Sequence, residues 1–202
     1  DKVVLVDERG KQRKVPKALI SDADQLYTEL LQPPKFNIDF SKKSGQRFFE
    51  ESPLLPGARW LPRQLDYTFS ARLRQTSAGE YNHELKVEFF AIGEEIEGDN
   101  YILLDRQESR FTPTEANERS HTFSGDTVGL RESTIFTERR GQKYGGYLVL
   151  VTDERGIIVD YGTSHKWLLE LVNTLRRFPE GRHFDKSGAR VEPPRPKEIG
   201  VY

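Results

Sequence analysis

Four histidines, His83, His121, His165 and His183, are the residues best suited to move protons or ligate a metal near neutral pH. They stand far apart, and no H-x-x-x-H or H-E-x-x-H spacing sets two imidazoles on one helix face. His121, Ser124 and Asp126 bring the three side chains of a hydrolytic triad into one short segment. No G-x-S-x-G elbow accompanies them, and the polar stretch from Pro113 to Leu130 reads as an extended loop, a poor support for a nucleophile. The densest carboxylates, Glu94, Glu95, Glu97 and Asp99, fall between two strands and read as a solvated hairpin tip. Glycoside hydrolysis needs two carboxyls about 5–9.5 Å apart, a separation in space that spacing along the chain does not supply. Gly141-Gln-Lys-Tyr-Gly-Gly has neither the Walker spacing nor a following helix. With no cysteine, thiol nucleophiles, disulfides and thiolate metal sites are excluded. The expectation is a protein that is not an enzyme, with no catalytic residue, no metal ligand and no cofactor.

Binding chemistry is better represented. The stretch from Ser41 to Gln64 is rich in Pro, Gly and Ser, yet it carries Phe48, Phe49, Arg59 and Trp60. A connection that apolar folds back on the body or meets a partner, so these four residues are the candidate contact surface. The alternative is a glycan-binding domain in which Trp60, Tyr81 or Tyr101 stacks on sugar rings. Trp167 falls on an apolar face and reads as core. Basic and acidic residues number 31 and 32 and are interspersed, which argues against a cationic field for nucleic acid.

These residues must be positioned mainly by strands. Leu65, Tyr67, Phe69, Ala71 and Leu73 alternate with polar residues, and Leu85, Val87, Phe89 and Ala91 repeat the pattern. Half-buried neighbouring strands imply an antiparallel sheet over a core. Ile102 to Phe111 reads as a third strand. Tyr144 to Val151 is apolar on both faces and reads as a central one, turning through Asp153-Glu-Arg-Gly156 into Ile157–Tyr161. The fold expected is mainly β, an antiparallel immunoglobulin-like β-sandwich. Residues 1–34 read as an N-terminal appendage: a hairpin through Asp7-Glu-Arg-Gly10, then a short helix capped by Ser21. Residues 35–178 form the sandwich body and end in an amphipathic helix over 164–177. Residues 179–202 read as an extended Pro-rich tail.

The segment from Arg139 to Val191 runs through Gly141-Gln-Lys-Tyr-Gly-Gly-Tyr, a hydrophobic strand, Asp-Glu-Arg-Gly and a second strand. A Ser-capped helix with a basic end follows, then Asp185-Lys-Ser-Gly-Ala-Arg-Val. That order resembles exported Ig-like β-sandwich proteins of the Verrucomicrobia linked to type IV pilus gene clusters. The likeness spans about a quarter of the chain and carries over no functional residue; the Cys pair and associated Trp of antibody domains are missing. It implies a non-catalytic protein-binding or assembly module of the cell envelope, with protein partners in the envelope or pilus apparatus. The chain starts at Asp1, not Met, so a signal or membrane anchor is expected to have been removed, with export to the periplasm or cell surface. No apolar run approaches the ~20 residues of a membrane-spanning helix.

Overall fold

A computed structural model describes residues 2–6, 8–48, 63–135 and 138–193. The chain opens with a two-stranded hairpin, β1 (Lys2–Val6) and β2 (Gln12–Pro16), and helix α1 (Asp22–Leu31). An antiparallel sheet follows: β3 (Phe36–Phe48), β4 (Arg63–Gln75), β5 (Leu85–Glu95), β6 (Tyr101–Phe111), β7 (Ser120–Ile135), β8 (Glu138–Thr152), β9 (Ile158–Thr163) and β10 (His183–Phe184). Its eight strands run in the order β10-β6-β5-β8-β7-β4-β3, with β9 paired to β8. The long strand β8 links its parts. Glu138–Gly141 pairs with β7, whereas Gln142–Thr152 pairs with β5.

Gly10 and Gly156, the glycines that end the two Asp-Glu-Arg-Gly segments, stand at positive φ, the backbone region glycine enters without steric cost. Alternation sorts the strands' side chains into two cores. Phe69, Ala71 and Leu73 of β4 join Val87, Phe89 and Ala91 of β5 and Val149 and Val151 of β8, with Phe36, Ile38 and Phe40 of β3 packed against them. On the opposite face, Phe90, Ile92, Leu148 and Leu150 meet Leu168, Val172, Leu175 and Phe178. Strands β5 and β8 are therefore buried on both faces, which explains their near-continuous apolar runs.

Four sequence expectations are corrected. Of the stretch read as a connection from Ser41 to Gln64, Ser41–Phe48 continues β3 and Arg63–Gln64 open β4. The segment read as a loop to Leu130 contains β7 from Ser120 onward. Its residues are polar because much of one face meets solvent, and that weakened the alternation signal. The helix expected over 164–177 is instead a 3₁₀ turn, Lys166–Leu169, followed by the one-turn helix α2 (Val172–Leu175). Its apolar residues still reach the core without a continuous α-helix. Within the segment read as an extended tail, His183 and Phe184 form β10 against β6, and both are buried.

Candidate functional site

Of the residues expected to form a contact surface, Phe48 is the last residue of β3, opposite Arg63 of β4. Phe49, Arg59 and Trp60 lie outside the described residues. Tyr81 is 2% exposed and Tyr101 is packed between Trp167 and Phe184, with ring centroids 4.7 and 5.9 Å away. Tyr81 presents no open ring to a sugar, whereas Tyr101 is half-buried.

The histidines are dispersed, each with its own partner. His183 Nδ1 and Glu95 Oε1 lie 2.7 Å apart in a buried pair. The acidic cluster is therefore only partly a solvated tip: Glu95 turns inward, Glu94 pairs with Lys143 at 2.9 Å and Glu97 with Arg140 at 2.9 Å. His165 Nε2 lies 3.0 Å from the Gly145 carbonyl. Among the described residues, no group of three or more His, Asp and Glu is arranged to hold a metal ion.

His121, Ser124 and Asp126 do not assemble into a triad. The hydroxyl beside His121 Nε2 is that of Ser109, at 2.8 Å, while Ser124 Oγ pairs with Ser70 Oγ at 2.7 Å. His121 stacks on Phe111 and Phe123, and burial lowers its pKa. Two positions along β6 from Ser109, Gln107 Nε2 donates to Asp105 Oδ1 at 2.9 Å. Asp105 Oδ2 has no partner among the described residues and rests against Gly125, where a Cβ would overlap the carboxylate. Gly125 and Asp126 form a bulge in β7 opposite Phe69, and the carboxylate reaches into it. Burial pushes Asp105 up to about 6, opposed by the Gln107 donor and aided by the nearby charges of Glu180 and Asp126. Ser109 and His121 meet as a hydroxyl–imidazole pair, and among the described residues no carboxylate is bonded to that imidazole to complete a nucleophile–base–orienter chain.

A charged cleft of about 430 Å³ is lined by Glu84, Lys86, Arg110, Asp153, Glu154 and Arg176, among others. Its basic groups are neutralised in place. Arg176 grips Glu88 through Nε and Nη2, Lys86 pairs with Glu108 at 2.9 Å, and Arg110 pairs with Glu84 at 3.0 Å. An anion entering here would have to displace a formed pair.

The most distinctive surface is apolar. The large hydrophobic side chains exposed among the described residues all fall in two segments: Val4, Leu5, Val6, Leu19, Leu26, Tyr27 and Leu31 at the N-terminal end, and Ile157, Ile158 and Tyr161 on the β8–β9 hairpin. Hydrogen bonds tie the two segments together. Arg155 Nη2 donates to the Leu30 carbonyl at 2.8 Å, satisfying an orphan group at the end of α1. Lys35 Nζ donates to the Val159 carbonyl at 3.1 Å, and the Phe36 N–H to Asp160 Oδ2 at 2.7 Å.

Helix α1 is held in position by its sequence. Ser21 Oγ accepts the Asp24 N–H at 3.2 Å, the N-cap its position predicts, and Asp22 and Asp24 occupy the first turn. Leu30 packs on the main core. Glu29 accepts from Lys17 at 3.0 Å and from the Asn82 N–H at 3.2 Å; burial opposes its charge, but these donors hold its carboxyl below the usual range. With one stripe and its polar groups so engaged, Leu26, Tyr27 and Leu31 are left facing outward. In the sequence, Leu26, Leu30 and Leu31 suggest the apolar stripe of α1; Leu30 alone of these packs on the core. Leu26 and Leu31 stand at i and i+5, too wide for one face, and that spacing was the available signal.

No family model matches the chain, and no curated protein matches it. A solved structure of a protein from Akkermansia muciniphila, of the Verrucomicrobia, is similar at 15% identity, covering 66% of this chain and 73% of that one. Its TM-score is 0.25, a level of likeness that carries no argument about fold or activity.

Proposed function

We propose that this protein is a non-catalytic protein-binding or assembly module that engages a partner through the apolar surface shared by α1 and the β8–β9 hairpin. One observation carries the reading: among the described residues, the exposed large hydrophobic side chains are confined to two segments, and Arg155 of one donates to the Leu30 carbonyl of the other. Scattered single apolar residues are ordinary on a protein surface; their gathering in linked segments marks a place where another chain excludes water. The sharing of one core by residues of β3 and β4 with those of β5, β8 and β9 supports reading the sheet as a sandwich of immunoglobulin type. The sequence pattern over 139–191 supports an exported protein at the cell envelope, with pilus assembly as its setting.

Site-specific photocrosslinking in the native host tests the reading. A benzophenone side chain replacing Tyr27 or Tyr161 is expected to capture the same protein from both positions. The same probe at Thr127, an exposed position on β7, should capture nothing. Different species at the two apolar positions, or equal capture at Thr127, would end it.

A further inference from the structure

Two side chains of the body reach the backbone carbonyls of α1. Arg155, in the turn between β8 and β9, holds the Leu30 carbonyl. The second is His83, two residues before β5 and 6% exposed. Its Nε2 lies 2.9 Å from the Leu26 carbonyl of α1, and its Nδ1 lies 3.3 Å from Glu154 Oε1 in the β8–β9 turn. A carbonyl and a carboxylate are both acceptors. A neutral imidazole carries one N–H, so whichever nitrogen holds it, the other turns a lone pair toward an oxygen. An imidazolium has an N–H at each nitrogen and satisfies both acceptors. The other charges nearby are matched: Asp153 pairs with Arg155, Glu29 with Lys17 and Glu84 with Arg110. The Tyr81 ring packs against the imidazole at 5.2 Å. Glu154 is therefore the counter-charge that a protonated His83 meets.

We infer that His83 is a proton-operated clamp: with a proton on both nitrogens it donates to Leu26 and Glu154 together and fixes α1 to the β8–β9 hairpin. Imidazoles change charge between about pH 5 and 8. Below that range the clamp is complete; above it one of its two contacts is gone, because burial leaves little room for water to replace the lost partner. Helix α1 and the hairpin carry the two halves of the apolar partner surface proposed above. That falling pH draws those halves together for binding rests on that reading; the clamp itself does not.

Amide hydrogen exchange of the free, full chain reads the clamp without any partner. With rates corrected for the intrinsic effect of pH, protection of the α1 amides should be about five-fold greater at about pH 5.5 than at about pH 7.5, the worth of one hydrogen bond to a half-exposed charge. Glu29, whose donors hold its carboxyl below the usual range, stays ionised across that window. His83→Gln, which has no proton to gain, should abolish the pH step. Glu154→Gln changes a half-exposed side chain and keeps an oxygen for the Glu84 N–H, and it should shrink the step to about two-fold. Equal α1 protection at the two pH values in the parent, or an undiminished step in either variant, would overturn the inference. Photocrosslinking at Tyr27 and Tyr161 fails or succeeds separately, since it reads the partner and exchange reads the chain alone.

Discussion

The sheet body and the N-terminal segment use the same residue types to opposite ends. Val87, Phe89, Val149 and Val151 are fully buried between strands. Val4, Leu5 and Val6 form an equally apolar strand and are exposed. A β5 side chain finds neighbours on both faces of a wide sheet, whereas β1 has one partner strand. Fully burying a large apolar side chain stabilises by about 1.5–3 kcal/mol, so the body holds most of the folding free energy, while the N-terminal segment keeps the exposed apolar surface proposed above to meet a partner.

That contrast can be broken most forcefully in the core. Phe89→Ala should lower global stability by about 3–5 kcal/mol, through lost burial and the cavity left behind. Urea denaturation measures this, and a loss under 1 kcal/mol would mean that the packing around Phe89 is not tight. Next in size is Arg176→Met. It leaves the buried Glu88 with only Lys86, at 3.4 Å, and should cost about 2–3 kcal/mol in the same assay.

Asp105 offers a stabilising change. Its folded pKa lies above the unfolded value, so the folded state holds the proton more tightly. Stability therefore falls as pH rises from about 4 to about 6 and levels off above that. Asp105→Asn removes the buried charge while the Oδ1 acceptor for Gln107 can be kept. It should raise stability at pH 7 by about 1–2 kcal/mol and flatten this limb of the profile. A variant no more stable than the parent at pH 7 would show that the carboxylate is solvated. His121 contributes with the opposite sign. Its lowered pKa makes stability decline as pH falls below about 6.5, so the two groups shape the acid limb together.

Smaller effects belong to the N-terminal segment. Glu29→Gln weakens the contacts to Lys17 and Asn82 and should raise amide hydrogen exchange in α1 with a local cost of about 1 kcal/mol. Exchange in β5 should not change.

The same contrast governs what the sequence disclosed. Alternation in Leu65–Leu73 and Leu85–Ala91 announced β4 and β5, because strands with a buried face keep their period. The Ser21 cap announced α1. Strand β7 was hidden because Ser120, Thr122, Ser124 and Thr127 turn polar groups to water, and the bulge at Gly125–Asp126 shifts its register. The 3₁₀ turn and α2 were hidden for another reason: apolar residues at helical spacing satisfy the core equally well from a broken helix. Of the candidate site, Phe48, Phe49, Arg59 and Trp60 stand out by composition alone, and all but Phe48 lie outside the described residues. The apolar surface escaped because Val-Val-Leu-Val in β1 reads the same as Leu-Val-Leu-Val in β8. Only the number of neighbouring strands tells them apart.

The exposed apolar residues are proposed to serve recognition and not folding. The direct measurement compares the unmodified chain with Leu31→Asp/Ile158→Asp, reading thermal stability and native co-purification together. Stability within about 0.5 kcal/mol of the parent is expected, as for surface sites, with the partner captured by photocrosslinking at Tyr27 and Tyr161 lost from the purified complex. A destabilised variant, or one that retains that partner in full, would contradict it.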